Sequence, residues 1–135
     1  MPANYLFVYG TLTSAAIPLE LQAIMAECGS FIGNATLSSA QLYQLDGYPG
    51  AALCTNQDAK VFGEIYQIIN SQKLFAALDA YEECSPDFPE PHEYRRQQVT
   101  VTDTNGNTLI AWCYLYNRDT NKLKIIANGD YKTIS

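Results

Sequence analysis

Apolar residues run almost unbroken from Tyr5 to Tyr9 and stop at Gly10, which predicts a short, deeply buried first strand. From Pro18 to Cys28 the period changes: Leu21, Ile24, Met25 and Cys28 fall on one face of a helix that Pro18 opens and Gly29 ends. Ser30 to Leu45 is β-branched, small and weakly alternating, and predicts one or two strands with a bend near Gly33. A turn at Asp46-Gly47-Tyr48-Pro49-Gly50, a short apolar run from Ala51 to Cys54 and a polar turn at Asn56 to Asp58 lead to a strand from Val61 to Ile69.

Ser71 opens a second helix that reaches about Glu83, where Ser85-Pro86 stops it. Cys84 to Glu93, with Pro86, Pro89 and Pro91 set among acids, has the chemistry of a loop. Tyr94 to Thr102 and Asn107 to Asn117 are strands joined through Asn105-Gly106, the strongest hairpin signal in the chain. In the second of them Leu109, Ala111, Cys113 and Leu115 face one way and Ile110, Trp112, Tyr114 and Tyr116 the other. Both faces are apolar, so the strand is expected to be central. The tail from Ile125 to Tyr131 reads as ordered coil.

Strands outnumber helices and do not simply alternate with them. Short strands in a small chain hide their edges by closing on themselves, so the expected fold is an α+β barrel with two helices outside or at the rim. At 135 residues the chain is long enough for one cored domain, spanning 1–135, and no linker or repeat divides it.

Composition narrows the function. With 47% hydrophobic and 16% charged residues the chain is globular, and its net charge of −6 argues against nucleic-acid partners. No apolar run approaches the roughly 20 residues of a membrane span, and the opening Met-Pro-Ala-Asn-Tyr, without a basic n-region, leads to the expectation of no secretory signal. The expectation is a cytoplasmic protein with no membrane partner. Its 4 cysteines are scattered, so neither a zinc knuckle nor a redox pair is present. The single histidine, His92, lies in the acidic Pro-rich stretch and cannot build a His-based zinc site or a triad without a presented nucleophile. Any proton chemistry then falls to a carboxylate.

Helical phase separates one carboxylate from its neighbours. With Leu74 at zero and about 100° per residue, Leu78 lies at about 40°, Phe75 at about 100° and Glu82 at about 80°. Glu82 is therefore expected on the core-facing stripe, with Asp79 and Glu83 facing outward. A carboxylate on a buried face is neutralised, paired or used; here either a catalytic role or an ion pair with Arg95 or Arg96 would satisfy it. Tyr9-Gly10-Thr11-Leu12 ends a strand at a glycine and a hydroxyl, where freed backbone N–H groups can bind an anion or Thr11 can simply cap the next segment.

Several segments recur together in one family: Val8-Tyr9-Gly10-Thr11-Leu12, Gly47-Tyr48-Pro49-Gly50, Val61-Phe62-Gly63-Glu64-Ile65-Tyr66, Leu78-Asp79-Ala80-Tyr81-Glu82, Tyr94-Arg95-Arg96 and Ala111-Trp112-Cys113-Tyr114. Over residues 5 to 131 the chain resembles the γ-glutamylcyclotransferase-like family, especially its short γ-glutamylamine cyclotransferase branch. The resemblance implies a small mixed β-barrel with two flanking helices and an amide-cleaving, lactam-forming enzyme that releases 5-oxoproline from a small γ-glutamyl substrate. By the same resemblance Glu82 is the general acid/base, Tyr9, Gly10, Thr11 and Leu12 form the substrate loop, and Tyr114 and Tyr116 line the cavity. No metal and no cofactor is implied. The chain departs from the family at Glu83, where a glycine is common, and in the length of its acidic loop from Cys84 to Glu93. A non-catalytic small-ligand or partner-binding barrel is the rival reading.

Overall fold

The structure is a computed structural model that describes residues 4–9, 19–45, 49–81, 94–126 and 129. Among these residues the elements run β1 (Tyr5–Val8), α1 (Leu19–Cys28), β2 (Gly29–Ser38), β3 (Ala40–Gln44), β4 (Pro49–Leu53), β5 (Lys60–Ile68), α2 (Ser71–Tyr81), β6 (Tyr94–Asp103), β7 (Thr108–Tyr116) and β8 (Lys124–Ile125). Five strands close a barrel in the order β1-β5-β2-β6-β7, and β4-β3-β8 form a separate three-stranded sheet. All neighbouring pairs in the barrel are antiparallel except the closing one, where β1 meets β7 in parallel through Leu6 and Trp112. The expected α+β barrel with two helices is the observed architecture.

Strand alternation builds two apolar layers. Phe7, Ile65, Val61, Val101, Cys113 and Leu115 belong to a cluster that continues into the small sheet through Leu42, Ala51 and Ile126. The opposite faces of β1 and β7 supply Leu6, Val8 and Tyr114, which pack against Leu21, Met25 and Cys28 of α1 and Leu74, Phe75 and Leu78 of α2. The interior leaves no room at Gly63, where a Cβ would run into the Val8 carbonyl and come within 2.8 Å of the Phe7 ring.

Local chemistry explains the element ends. Asn70 caps α2: its side-chain oxygen accepts from the Lys73 N–H at 3.2 Å and its carbonyl from the Leu74 N–H at 3.1 Å. The Asn105-Gly106 turn is held by the Asp103 carboxylate, which accepts from the N–H groups of Asn105 and Asn107, each at 2.9 Å, while Gly106 takes φ 85°.

The bend expected near Gly33 is a bulge within β2, where the register with β5 slips between Phe31 and Gly33. The stretch makes two strands, parted at Ser39, at φ 56°, where the chain leaves the barrel for the small sheet. One expectation shifts, because the tail is not all coil: Lys124 and Ile125 pair with Gln44 and Tyr43, and the Ile126 N–H donates to the Leu42 carbonyl at 2.8 Å.

Candidate functional site

The end of β1 is braced by one hydroxyl. Tyr9 is buried, and its O–H donates to the Tyr114 carbonyl at 2.5 Å while its oxygen accepts from the Ala51 N–H at 3.1 Å. With its proton on Tyr114, this hydroxyl ties β1 to β7 and β4. Tyr94 holds the same stretch of β4 by donating to the Pro49 carbonyl at 2.6 Å. Between these two anchors Gly50 lets the backbone approach Tyr116, whose Cβ would stand 3.0 Å from a Cβ at Gly50. Tyr116 in turn packs edge-on to Tyr94, with ring centroids 5.8 Å apart. Tyrosines at the ends of β1, β6 and β7 thus fix Pro49-Gly50-Ala51 at one end of the barrel.

The last described turn of α2 is held from below by a polar cluster. Asp79 accepts from the Tyr114 hydroxyl at 2.5 Å, and its two oxygens lie 3.1 Å from Nε and 3.3 Å from Nη2 of Arg96. One N–H hydrogen bond and one ion-pair contact, each to its own carboxylate oxygen, form a fork that holds the carboxylate side-on to the guanidinium. The Arg96 guanidinium lies over the Phe75 ring at 4.0 Å and the Trp112 ring at 5.0 Å, and those two rings meet edge to face at 5.8 Å. The pair is partly covered, with side-chain exposures of 29% for Arg96 and 22% for Asp79.

This corrects the outward placement of Asp79. At about 140° on the helical wheel, Asp79 sits just past Phe75 at the stripe's edge, close enough to reach Arg96 and Tyr114 from β6 and β7. The register that places Arg96 directly opposite Tyr114 brings both to the same carboxylate. That cross-strand pairing was the available signal, and helical phase alone does not contain it.

Tyr114 joins the two halves of the site. Its carbonyl receives the Tyr9 hydroxyl at the end of β1, and its own hydroxyl reaches Asp79 near the end of α2. Of the expected site residues, the structure thus brings Tyr9, Tyr114 and Tyr116 together. Tyr114 and Tyr116 face the helix layer, away from the barrel interior. Gly10, Thr11, Leu12 and Glu82 lie outside the described residues, as does the acidic loop from Cys84 to Glu93.

A second polar pair lies on the outer face of β5, where the Tyr66 hydroxyl donates to Glu64 at 3.2 Å. Burial of the phenol, reinforced by the Glu64 charge and this hydrogen bond, pushes the Tyr66 pKa up to about 12. A half-open groove of about 200 Å³ lies at the seam of β3 and β5, lined by Gln41, Leu42, Asp58, Lys60 and Phe62 among others. Among the described residues, none of the expected site residues borders it. No described helix is long and apolar enough to cross a membrane.

Known proteins share both the sequence pattern and this architecture. The chain is 30% identical over 126 residues to the γ-glutamylcyclotransferase family protein YtfP of Escherichia coli K12, an alignment covering 93% of this chain and 94% of that one. The solution structure of E. coli YtfP superposes with a TM-score of 0.63 over 94% of this chain and 95% of that one. A crystal structure of an AIG2-like protein from Mus musculus, 20% identical, superposes with a TM-score of 0.74 over 97% of this chain and 89% of that one, and shares the fold. The model of the γ-glutamyl cyclotransferase, AIG2-like family matches residues 6–133, and with nearly the whole chain matched the protein belongs to that family.

Proposed function

We propose that this chain is a γ-glutamylcyclotransferase that releases 5-oxoproline from a γ-glutamyl amine or γ-glutamyl peptide. The observation that carries the reading is the double engagement of Tyr114. Gly10 follows Tyr9 by one residue and Glu82 follows Asp79 by three, so each segment expected to do the chemistry lies close in sequence to a residue bonded to the same tyrosine. The tyrosine brace and the Asp79–Arg96 fork give both segments rigid points of departure, as a preorganised site requires.

In the proposed reaction the substrate's α-amine attacks its own γ-carbonyl carbon. A five-membered lactam forms, the γ-amide C–N bond breaks, and the amine once attached there leaves. Nucleophile and electrophile belong to one molecule, so the protein has mainly to fold the substrate and move protons. Glu82 takes a proton from the α-ammonium, freeing the lone pair, and returns it to the departing nitrogen. Backbone N–H groups of Gly10, Thr11 and Leu12 hold the substrate carboxylate or the oxyanion of the tetrahedral intermediate. The Tyr9 hydroxyl has its one proton on Tyr114, so beside its expected place in the substrate loop the motif's tyrosine also acts as a strut. With Arg96 engaged by Asp79, one of the two arginines considered as partners for Glu82 has a carboxylate of its own.

The test is a panel of γ-glutamyl amines, γ-glutamyl dipeptides and glutathione, assayed for 5-oxoproline. At least one should be turned over, and Glu82→Gln should lower the rate by at least about 100-fold with the fold intact. Near-normal turnover in that variant removes Glu82 from its role. Ligand-induced rises in melting temperature without product from any substrate would favour the binding barrel instead.

A further inference from the structure

We propose that Asp79 is a positioning residue: it clamps the turn of α2 that carries it onto β6 and β7, and the activity assigned to Glu82 depends on that clamp. The inference rests on the reading of Glu82 as general acid/base, and it assigns a task to side chains which that reading leaves unused. Asp79 accepts one hydrogen bond from the Arg96 guanidinium on β6 and one from the Tyr114 hydroxyl on β7, and Nε of Arg96 forms an ion pair with it at 3.1 Å. Arg96 is itself held flat by Phe75, one turn earlier on α2, and by Trp112, which also closes the barrel against Leu6 of β1. The clamp thus links α2 to three consecutive barrel strands.

Helix termini fray because their last carbonyls have no partners within the helix, and a terminal turn is steady only if something outside fixes it. Among the described residues, neither helix carries a basic residue in its last turn to complement the negative end of the dipole. In α2 the cation comes from the sheet instead, through Arg96. A planar fork, a short O–H bond and aromatic faces on the guanidinium restrict both rotation and tilt of that turn, and Glu82 follows Asp79 by three residues in the sequence. General-base geometry is unforgiving: a misplacement of about 1 Å can cost 100-fold in rate.

The same fork keeps the Arg96 charge on Asp79. Were Asp79 neutral, the guanidinium would keep its aromatic faces but lose its carboxylate partner. Loss of Asp79 therefore loosens α2 and leaves an unpaired positive charge beside it.

The experiment compares wild type with Asp79→Asn, Arg96→Lys and Arg96→Met, using whichever γ-glutamyl substrate the wild type turns over, well below each variant's melting temperature. Asp79→Asn and Arg96→Met should each lower kcat by about 10- to 100-fold while KM stays within about 3-fold, because alignment is lost and substrate binding is not. Arg96→Lys, which keeps the charge without the fork, should fall between Arg96→Met and wild type. Unchanged kcat in the folded variants overturns the proposal, as does a loss confined to KM. Should Asp79→Asn fail to fold, the ranking of the two Arg96 variants decides the matter. Hydrogen exchange supplies an arm independent of turnover: in Asp79→Asn the amides from Phe75 to Tyr81 should exchange at least about 10-fold faster, with those of α1 unchanged. If wild type turns over nothing, the proposed reaction fails while this arm still judges the clamp, and unaltered exchange there overturns it.

Discussion

The two faces of β7 make a useful contrast. Toward the interior it presents Ala111, Cys113 and Leu115, all fully or almost fully buried among largely aliphatic neighbours. Toward the helices it presents Trp112, Tyr114 and Tyr116, and there the packing is aromatic, with an ion pair and a tyrosine hydroxyl set into it. The described interior cluster holds the strands together through shape, and its only side chains with a proton to give are the Tyr9 hydroxyl at its end, the partly buried Tyr5 at its margin and the thiol of Cys113. The outer layer is where polar atoms are fixed at hydrogen-bonding distance. A stable apolar tube thus serves as the frame, and the side chains that can bear chemistry lie between the tube and its helices.

Substitutions should separate these regions by size of effect. The largest loss belongs to the interior. Gly63→Val would drive its side chain into the Val8 carbonyl and the Phe7 ring, and should cost about 3 kcal/mol or more, read as loss of soluble protein or of the cooperative denaturation transition. At the junction of the two regions, Tyr9→Phe keeps the ring but leaves the Ala51 N–H and the Tyr114 carbonyl without their bridge. A loss of about 1–3 kcal/mol in urea unfolding is expected, and an unchanged midpoint would show that the brace is dispensable.

The smallest effect is on the outer face of β5 and depends on pH. Tyr66 keeps its proton more tightly in the folded chain, with a pKa of about 12 against an ordinary 10.0, so the unfolded state binds fewer protons between those values. Its contribution is complete below about pH 10 and is lost as pH rises toward 12. Partial exposure of the phenol keeps the effect small. Unfolding at about pH 9 and about pH 11.5, on either side of the ordinary tyrosine pKa, should show a decline in wild type that Tyr66→Phe reduces. Equal declines would remove Tyr66 from the account.

Much of the barrel was legible because its elements carry their own periods. The helix face of Leu21, Ile24, Met25 and Cys28, the Asn105-Gly106 hairpin and the two-sided apolar β7 all follow from local spacing, and each stands in the structure. Ile110 shows the limit of that logic. It shares a face with Trp112 and Tyr114 yet is 56% exposed, outside the cluster that packs β7 against the helices. Asp79 shows the same limit in reverse, a charge at the stripe's edge drawn into the packing by Arg96 and Tyr114. Gly33 was readable as an irregularity, but whether an irregular residue makes a bulge or a strand break depends on what pairs beside it.

By itself the sequence determined the order and kind of the elements from β1 to β7, the hairpin and the apolar side of each helix, because these depend on neighbours a few residues away. The tertiary structure alone decided that β1 closes on β7, that β3, β4 and β8 leave the barrel as a second sheet, and that Tyr9 and Asp79 converge on Tyr114. Periodicity records which face of a segment must leave water. It does not record which distant face will cover it, and a hydrogen bond across 35 or 105 residues of chain exists only once that choice is made.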